Sequence, residues 1–199
     1  MNIGLLGGTF DPIHNGHLAI VIVGIASLKL DRVLLLPAGQ PWLKPQHPMA
    51  SAEHRIEMVR LAIAGNPTLV LSTVETDRPG ISYTVDTIAI LRKQFAPDDN
   101  MYFLMGADSL DSFSLWKEPS RLIELCRLAV FTRRGFDSAH IDDIDRAVPG
   151  VRQRTVFVDM EPIDISSADI RRRIRNGLTI RNLVPVQVEK YIRQHGLYR

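Results

Sequence analysis

Within the run Gly7-Gly8-Thr9-Phe10-Asp11-Pro12-Ile13-His14-Asn15-Gly16-His17, two glycines and two histidines stand at a spacing suited to holding a phosphate. The histidines are three residues apart at the entry to an apolar helical run, so both imidazoles can face one side. Before the run, Ile3, Leu5 and Leu6 read as a short buried strand, and residues 18–23 after it are all apolar. A strand, a glycine-rich turn and a helix start make an anion site, because unpaired backbone N–H groups and the positive end of the helix dipole converge there. The glycines let the backbone approach a ligand closely.

Other chemistries fit these residues less well. A structural metal site would need more ligands, and the chain holds one cysteine, Cys126, with no Cys-x-x-Cys or His-Glu-x-x-His spacing. Gly-x-Gly-x-x-Gly is absent, bulky Phe10 and Pro12 occupy the turn, and no Gly-Lys-Ser/Thr follows it, so neither a dinucleotide fingerprint nor a Walker loop is present.

A second constellation is Ile165-Ser166-Ser167-Ala168-Asp169-Ile170-Arg171. Its hydroxyls and N–H groups sit at a helix start, with Arg171 one turn on and facing the same anion. Alone, a Ser-Ser pair before a helix is a cap; beside the first motif, an anion site is the stronger reading. Between them, Asp77-Arg78-Pro79-Gly80-Ile81-Ser82-Tyr83-Thr84 leads into a helix, and Gly106-Ala107-Asp108-Ser109 follows a strand, with Phe113 and Trp116 soon after. Asp108 at the C-terminal edge of a strand suits a ribose hydroxyl. Trp116 suits the core equally well.

The elements that must position these residues follow from the periodicity. Apolar β-type runs recur at residues 33–36, 69–71, 101–105, 128–131 and 155–158, and helical patterns cover 16–27, 52–64 and 83–95, the last capped by Ser82 or Thr84 and closed by Pro97. This alternation predicts an α/β protein with a Rossmann-like, doubly wound parallel sheet. Residues 134–153 read as a surface excursion with a short helix. After Ile165 a basic helix over 168–176 and a last helix from Pro185 to His195 form a small C-terminal helical appendage. The chain is expected to be a single domain over 1–199, with 165–199 as its helical subdomain.

Composition narrows the function classes. A 199-residue chain with 45% hydrophobic residues can bury an ordinary core. No apolar run approaches the roughly 20 residues of a spanning helix, and the first residues run into a strand rather than a basic leader. A cytoplasmic protein without a membrane partner is expected. The net charge of +2 hides an asymmetry: residues 1–120 carry 9 basic and 12 acidic side chains, and residues 121–199 carry 15 and 10. Much of the excess lies in Arg171, Arg172, Arg173 and Arg175, which suits a solvated face, a nucleic-acid patch or a polyphosphate clamp. No aromatic residues interleave with them, which disfavours single-strand binding, and no nucleic-acid partner is expected.

The first motif resembles, residue for residue, the Gly-Gly-Thr-Phe-Asp-Pro-x-His-x-Gly-His signature of the nucleotidyltransferase superfamily. The second resembles its Ile-Ser-Ser-Thr-x-Ile-Arg motif, with Ala168 in place of the threonine. Together with the Ser-Tyr-Thr and Gly-Ala-Asp-Ser segments and the C-terminal run from Leu183 through His195-Gly196-Leu197-Tyr198, they resemble bacterial nicotinate mononucleotide adenylyltransferases over nearly the whole chain. The resemblance implies transfer of the adenylyl group of ATP to nicotinate mononucleotide. It also implies magnesium carried in on ATP rather than held by a dedicated metal site. It makes His14, His17 and Arg171 catalytic, and gives ATP the residues Gly7, Gly8, Thr9, Phe10, Gly16, His17, Gly106, Asp108, Ser166, Ser167 and Arg171. Nicotinate mononucleotide falls to Lys44, Ser82, Tyr83, Thr84, Trp116 and Lys117. At Gln40-Pro41-Trp42-Leu43-Lys44 the chain departs from the family's Pro-Pro-His-Lys; the lysine survives as Lys44 and the histidine does not. Phosphopantetheine adenylyltransferases share the first motif but usually carry Thr at the place of His14.

Overall fold

The computed structural model describes residues 1–41, 49–132 and 140–199. In chain order its elements are β1 (Asn2–Gly8), α1 (Asn15–Leu28), β2 (Arg32–Pro37), β3 (Gln40–Pro41), α2 (Ala52–Ile63), β4 (Leu69–Leu71), β5 (Ile81–Ser82), α3 (Thr84–Arg92) and β6 (Asn100–Gly106). There follow α4 (Ala107–Asp111), a 3₁₀ turn at Phe113–Leu115, α5 (Pro119–Leu125), β7 (Arg127–Thr132), α6 (His140–Ala147), α7 (Val151–Arg154), β8 (Thr155–Asp159), α8 (Ser167–Arg175) and α9 (Val186–Gln194).

Six strands form one parallel sheet in the order β4-β2-β1-β6-β7-β8. Side chains alternate across it, as the pleat requires. Ile3, Leu5, Leu34, Leu36, Phe103, Leu128 and Val130 face a core shared with α3, α5, α6 and α7. Leu6, Val33, Leu35, Leu104, Ala129 and Phe131 face the opposite core, against α1, α2, α8 and α9. Both faces are covered, which is why these strands read as near-continuous apolar runs. The doubly wound fold expected from the sequence is therefore present. From β1 the chain moves outward through β2 to β4, then crosses back to β6 and proceeds to β8, so the winding reverses between β1 and β6. Ligands of open α/β sheets bind at the C-terminal edge at such a reversal, and here that edge carries Gly7, Gly8 and Gly106.

Two expectations need correction. Residues 134–139 lie outside the described residues; 140–153 do hold a short helix, α6, but they are no surface excursion, because α6, α7 and the turn between them bury Ile141, Ile144, Val148 and Val151 in the first core. Their helical spacing was masked by the interspersed Asp142, Asp143, Asp145 and Arg146. Neither Ser82 nor Thr84 caps α3; its N-cap is Tyr83, with no side-chain cap. The Ser82 hydroxyl instead accepts the Gly39 N–H at 3.1 Å, because the two-residue parallel pair β3–β5 carries Ser82 to the end of β2.

Candidate active site

Residues 9–14 form the loop from β1 into α1. Phe10 turns through the left-handed region at φ 50°, which sends its ring back over Gly8, where a Cβ would lie 3.0 Å from it. Gly8 thus makes room for a buried aromatic ring that meets His17 edge-on at 5.0 Å. His14 and His17 stack with 3.7 Å between ring centroids. The His14 N–H donates to Nδ1 of His17 at 3.2 Å. A neutral imidazole that accepts at Nδ1 carries its proton on Nε2, so His17 is held in the tautomer that donates through Nε2. His17 lines the cleft. His14 lies behind it, 6% exposed, and burial pushes its pKa down to about 4. Its Nδ1 has no hydrogen-bond partner among the described residues. Gly16 lets that ring lie close, since a Cβ there would stand 3.0 Å from Nδ1.

Helix α8 closes the loop from the other end of the chain. Ser166 caps the helix by accepting the Asp169 N–H at 3.1 Å. The Ser167 hydroxyl donates to the Pro12 carbonyl at 2.9 Å. Both hydroxyls are therefore committed to fixing the loop and the helix, and Ala168 leaves its position without one. Arg171 donates from Nη1 to the Asp11 carbonyl at 2.6 Å and lies 3.7 Å from the Asp11 carboxylate. It lines the cleft with Ser167. Arg172 and Arg173 turn away and pair with Asp169.

The cleft encloses about 420 Å³ and runs from this phosphate loop along the edge of the sheet. Gly7, Gly8, Thr9, Phe10, His17, Gly106, Ser167 and Arg171 line it together with Ser82, Thr84 and Trp116. Trp116 answers both sequence readings: it faces the cleft while packing edge-on against Phe103 at 5.8 Å and tilted against Phe113 at 5.6 Å. Tyr83 packs against the first core and Lys117 stands over its ring, 4.7 Å from the centroid, with its ammonium on Asp86 at 2.8 Å. The Lys117 side chain is thus engaged outside the cleft lining. Asp108 is exposed in the first turn of α4, where Ser109 rather than Asp108 lines the cleft. Lys44, with Trp42 and Leu43, lies outside the described residues.

Sequence reasoning missed several residues. Arg55 is 2% exposed, and its guanidinium donates to the carbonyls of Ala50, Thr9, Ala38 and Gly39. One side chain thereby ties the phosphate loop to the end of β2. Its position with Met58, Val59 and Ile63 on the buried stripe of α2 was the available signal, since a charge on an apolar face must find partners. Glu75 also lines the cleft, 7% exposed. It accepts from the Thr87 hydroxyl at 2.9 Å, and burial raises its pKa. Cys126 is buried outside the cleft lining, its thiol pushed up to about 12 by burial. The arrangement can neutralise a polyphosphate with His17 and Arg171 and offer the Trp116 ring to a flat ring.

The cytidylyltransferase-like family model matches residues 5–173. A protein of Thermomicrobium roseum named "Probable nicotinate-nucleotide adenylyltransferase" is 46% identical over 99% of this chain and 91% of its own length. One of Roseiflexus sp. with the same name is 44% identical over 99% and 98%. Among solved structures, Plasmodium falciparum nicotinic acid mononucleotide adenylyltransferase complexed with NaAD superposes with a TM-score of 0.77 at 19% identity, over 99% of this chain and 97% of that one. At that identity the likeness speaks for the fold.

Proposed function

The chain belongs to the cytidylyltransferase-like family, among the nicotinate-nucleotide adenylyltransferases, and from that premise we propose that it transfers the adenylyl group of ATP to nicotinate mononucleotide. The products are nicotinate adenine dinucleotide and pyrophosphate, a step of NAD biosynthesis. The observation that carries this reading is the cleft at the winding reversal, which the loop after β1, Arg171, Ser82, Thr84 and Trp116 line together.

The 5′-phosphate oxygen of the mononucleotide attacks the α-phosphorus of ATP and the bond to the pyrophosphate oxygen breaks. The nucleophile is already an anion, so no covalent protein intermediate is required. Catalysis consists of aligning two repelling anions and neutralising charge on the five-coordinate phosphorus. His17 donates through Nε2, Arg171 offers a fork of N–H groups, and the loop amides from Gly8 to Phe10 line the same wall. His14 backs His17 from below. Trp116 stacks on the pyridine ring. The main chain at Thr84, whose helix has no side-chain cap, and at Lys117 offers N–H groups to the nicotinate carboxylate. Lys44, outside the described residues, is assigned a phosphate contact by the family resemblance alone. Magnesium would arrive with the triphosphate and would offset its charge. The residues present fit an ion that keeps its water, because the cleft-lining carboxylates of Asp11 and Glu75 are already engaged by Tyr198, Ala50 and Thr87. We place the enzyme in the cytoplasm, with neither membrane nor nucleic acid as partner; among the described residues no helix is long and apolar enough to cross a membrane.

Pyrophosphate release from ATP tests the reading. With nicotinate mononucleotide as acceptor, turnover is expected, and kcat/KM for the acid should exceed that for the amide by about ten- to a hundred-fold. An amide leaves a buried N–H facing an NH₂ group, at a cost of roughly 1–3 kcal/mol. Trp116→Ala should weaken both acceptors and leave their ratio above one. A ratio at or below one removes the carboxylate pocket, and turnover with phosphopantetheine alone assigns the chain to another acceptor.

A further inference from the structure

Asp11 presents a problem for an anion site, because it puts a carboxylate into the wall that must receive a triphosphate. It is 3% exposed, so solvent does not mask its charge. Its Oδ1 accepts the Ala50 N–H at 3.1 Å and the Tyr198 hydroxyl at 2.6 Å. Its Oδ2 lies 3.7 Å from Nη1 of Arg171, too far for a hydrogen bond, while that nitrogen donates to the Asp11 carbonyl at 2.6 Å. The guanidinium and carboxylate stand side by side without closing into a bidentate pair.

We propose that Tyr198 is a positioning residue for ATP: by holding Oδ1 of Asp11 it keeps the carboxylate turned from Arg171 and leaves that guanidinium available to the triphosphate. Tyr198 comes from beyond α9, 187 residues from Asp11 in sequence, and packs against the core that α8 and α9 share. A tyrosine suits the task because it donates one hydrogen bond without bringing a second cation. Burial and the adjacent carboxylate hold its pKa above the ordinary tyrosine value, so it remains a donor. Without the hydroxyl, a buried carboxylate lacks one of its two donors at Oδ1, and the nearest compensation is Arg171. A direct carboxylate–guanidinium pair is among the strongest hydrogen-bonded contacts available to a side chain, and it would withdraw the cation from the cleft. The inference rests on the reading of the cleft as an adenylyl-transfer site.

The test uses the full chain and two measurements. Calorimetry gives the Kd of ATP without an acceptor, and steady-state kinetics give KM for each substrate. For Tyr198→Phe, which keeps the ring, the Kd and KM of ATP should rise about ten-fold, or about 1.4 kcal/mol, with the KM of nicotinate mononucleotide unchanged and kcat within about two-fold. Asp11→Asn removes the competing charge and keeps an acceptor for Tyr198, so it should bind ATP at least as tightly as the unaltered chain. In that background Tyr198→Phe should add no further loss. An unchanged ATP Kd in Tyr198→Phe, equal losses for both substrates, additive effects in the double variant, or a ten-fold weaker Asp11→Asn each overturns the proposal. The Asp11→Asn measurement stands if Tyr198→Phe does not fold. An unaltered chain that binds ATP but releases no pyrophosphate overturns the adenylyl-transfer reading alone.

Discussion

His14 and His17 are stacked neighbours on one loop, yet they meet different electrostatic conditions. His17 faces the cleft, whereas His14 is buried with an unpartnered Nδ1 and a pKa near 4. An unfolded histidine titrates near 6.5, so between about pH 6.5 and pH 4 the unfolded chain binds a proton that the folded chain refuses. Stability therefore falls as pH drops through this window and is unaffected by His14 above it. Urea unfolding should show the native chain losing about 2 kcal/mol more than His14→Asn between pH 7 and pH 5; equal losses would mean that His14 is solvated. Arg171→Lys should lower kcat/KM by about ten-fold or more, since an ammonium cannot present a planar fork to two oxygens. Arg172→Lys and Arg173→Lys should change it little, their side chains being paired with Asp169; comparable losses at all three would replace a clamp with a diffuse field. At this scale the residues within the two motifs were legible, because their spacing is local. Arg55, Glu75 and Tyr198 were less so, because their partners lie in other elements, 187 residues apart for Tyr198 and Asp11, and only the place of Arg55 on the buried stripe of α2 gave a signal.

The long elements were legible for the same reason in reverse: strands buried on both faces are apolar throughout, and α1 and α2 have turn chemistry at their starts. The pair β3–β5 has two residues per strand, too few for any period. Yet it decides where Ser82 goes, and so it spoiled the expected cap of α3. The junction between β2 and β3 is correspondingly tight. A Cβ on Gly39 would stand 2.4 Å from the carbonyl oxygen of Glu75, and a backbone atom cannot swing aside as a side-chain tip can. Gly39→Ala should therefore destabilise the chain by about 1–3 kcal/mol. It should also raise the KM of nicotinate mononucleotide more than that of ATP, because Ser82 hangs on the Gly39 N–H. Calorimetric melting and the two KM values check this; an unchanged melting temperature would show that the junction yields.

Across the whole molecule the sheet supplies a fixed edge, and both halves of the chain bring groups to it. ATP should accordingly stabilise the entire fold. At a concentration about 100 times its Kd the gain is about 2.7 kcal/mol, or about 5–11 °C in melting temperature for a chain of this size. Hydrogen exchange should slow together at residues 7–17 and 166–175; protection of the first stretch alone would mean that Arg171 takes no part in binding. The C-terminal direction of those contacts has a consequence for how the protein is made. Every strand of the described sheet is polymerised before Arg171 and Tyr198. Domains acquire structure from the N-terminal side as they emerge, so a nascent chain displays its glycine loop and histidines while both Arg171, proposed to clamp the nucleotide, and the tyrosine that tethers Asp11 are still unmade. On the proposed roles of Arg171 and Tyr198, a nascent chain should bind ATP more weakly until synthesis has passed Tyr198, so the nucleotide should stabilise chains carried that far more than fragments released early.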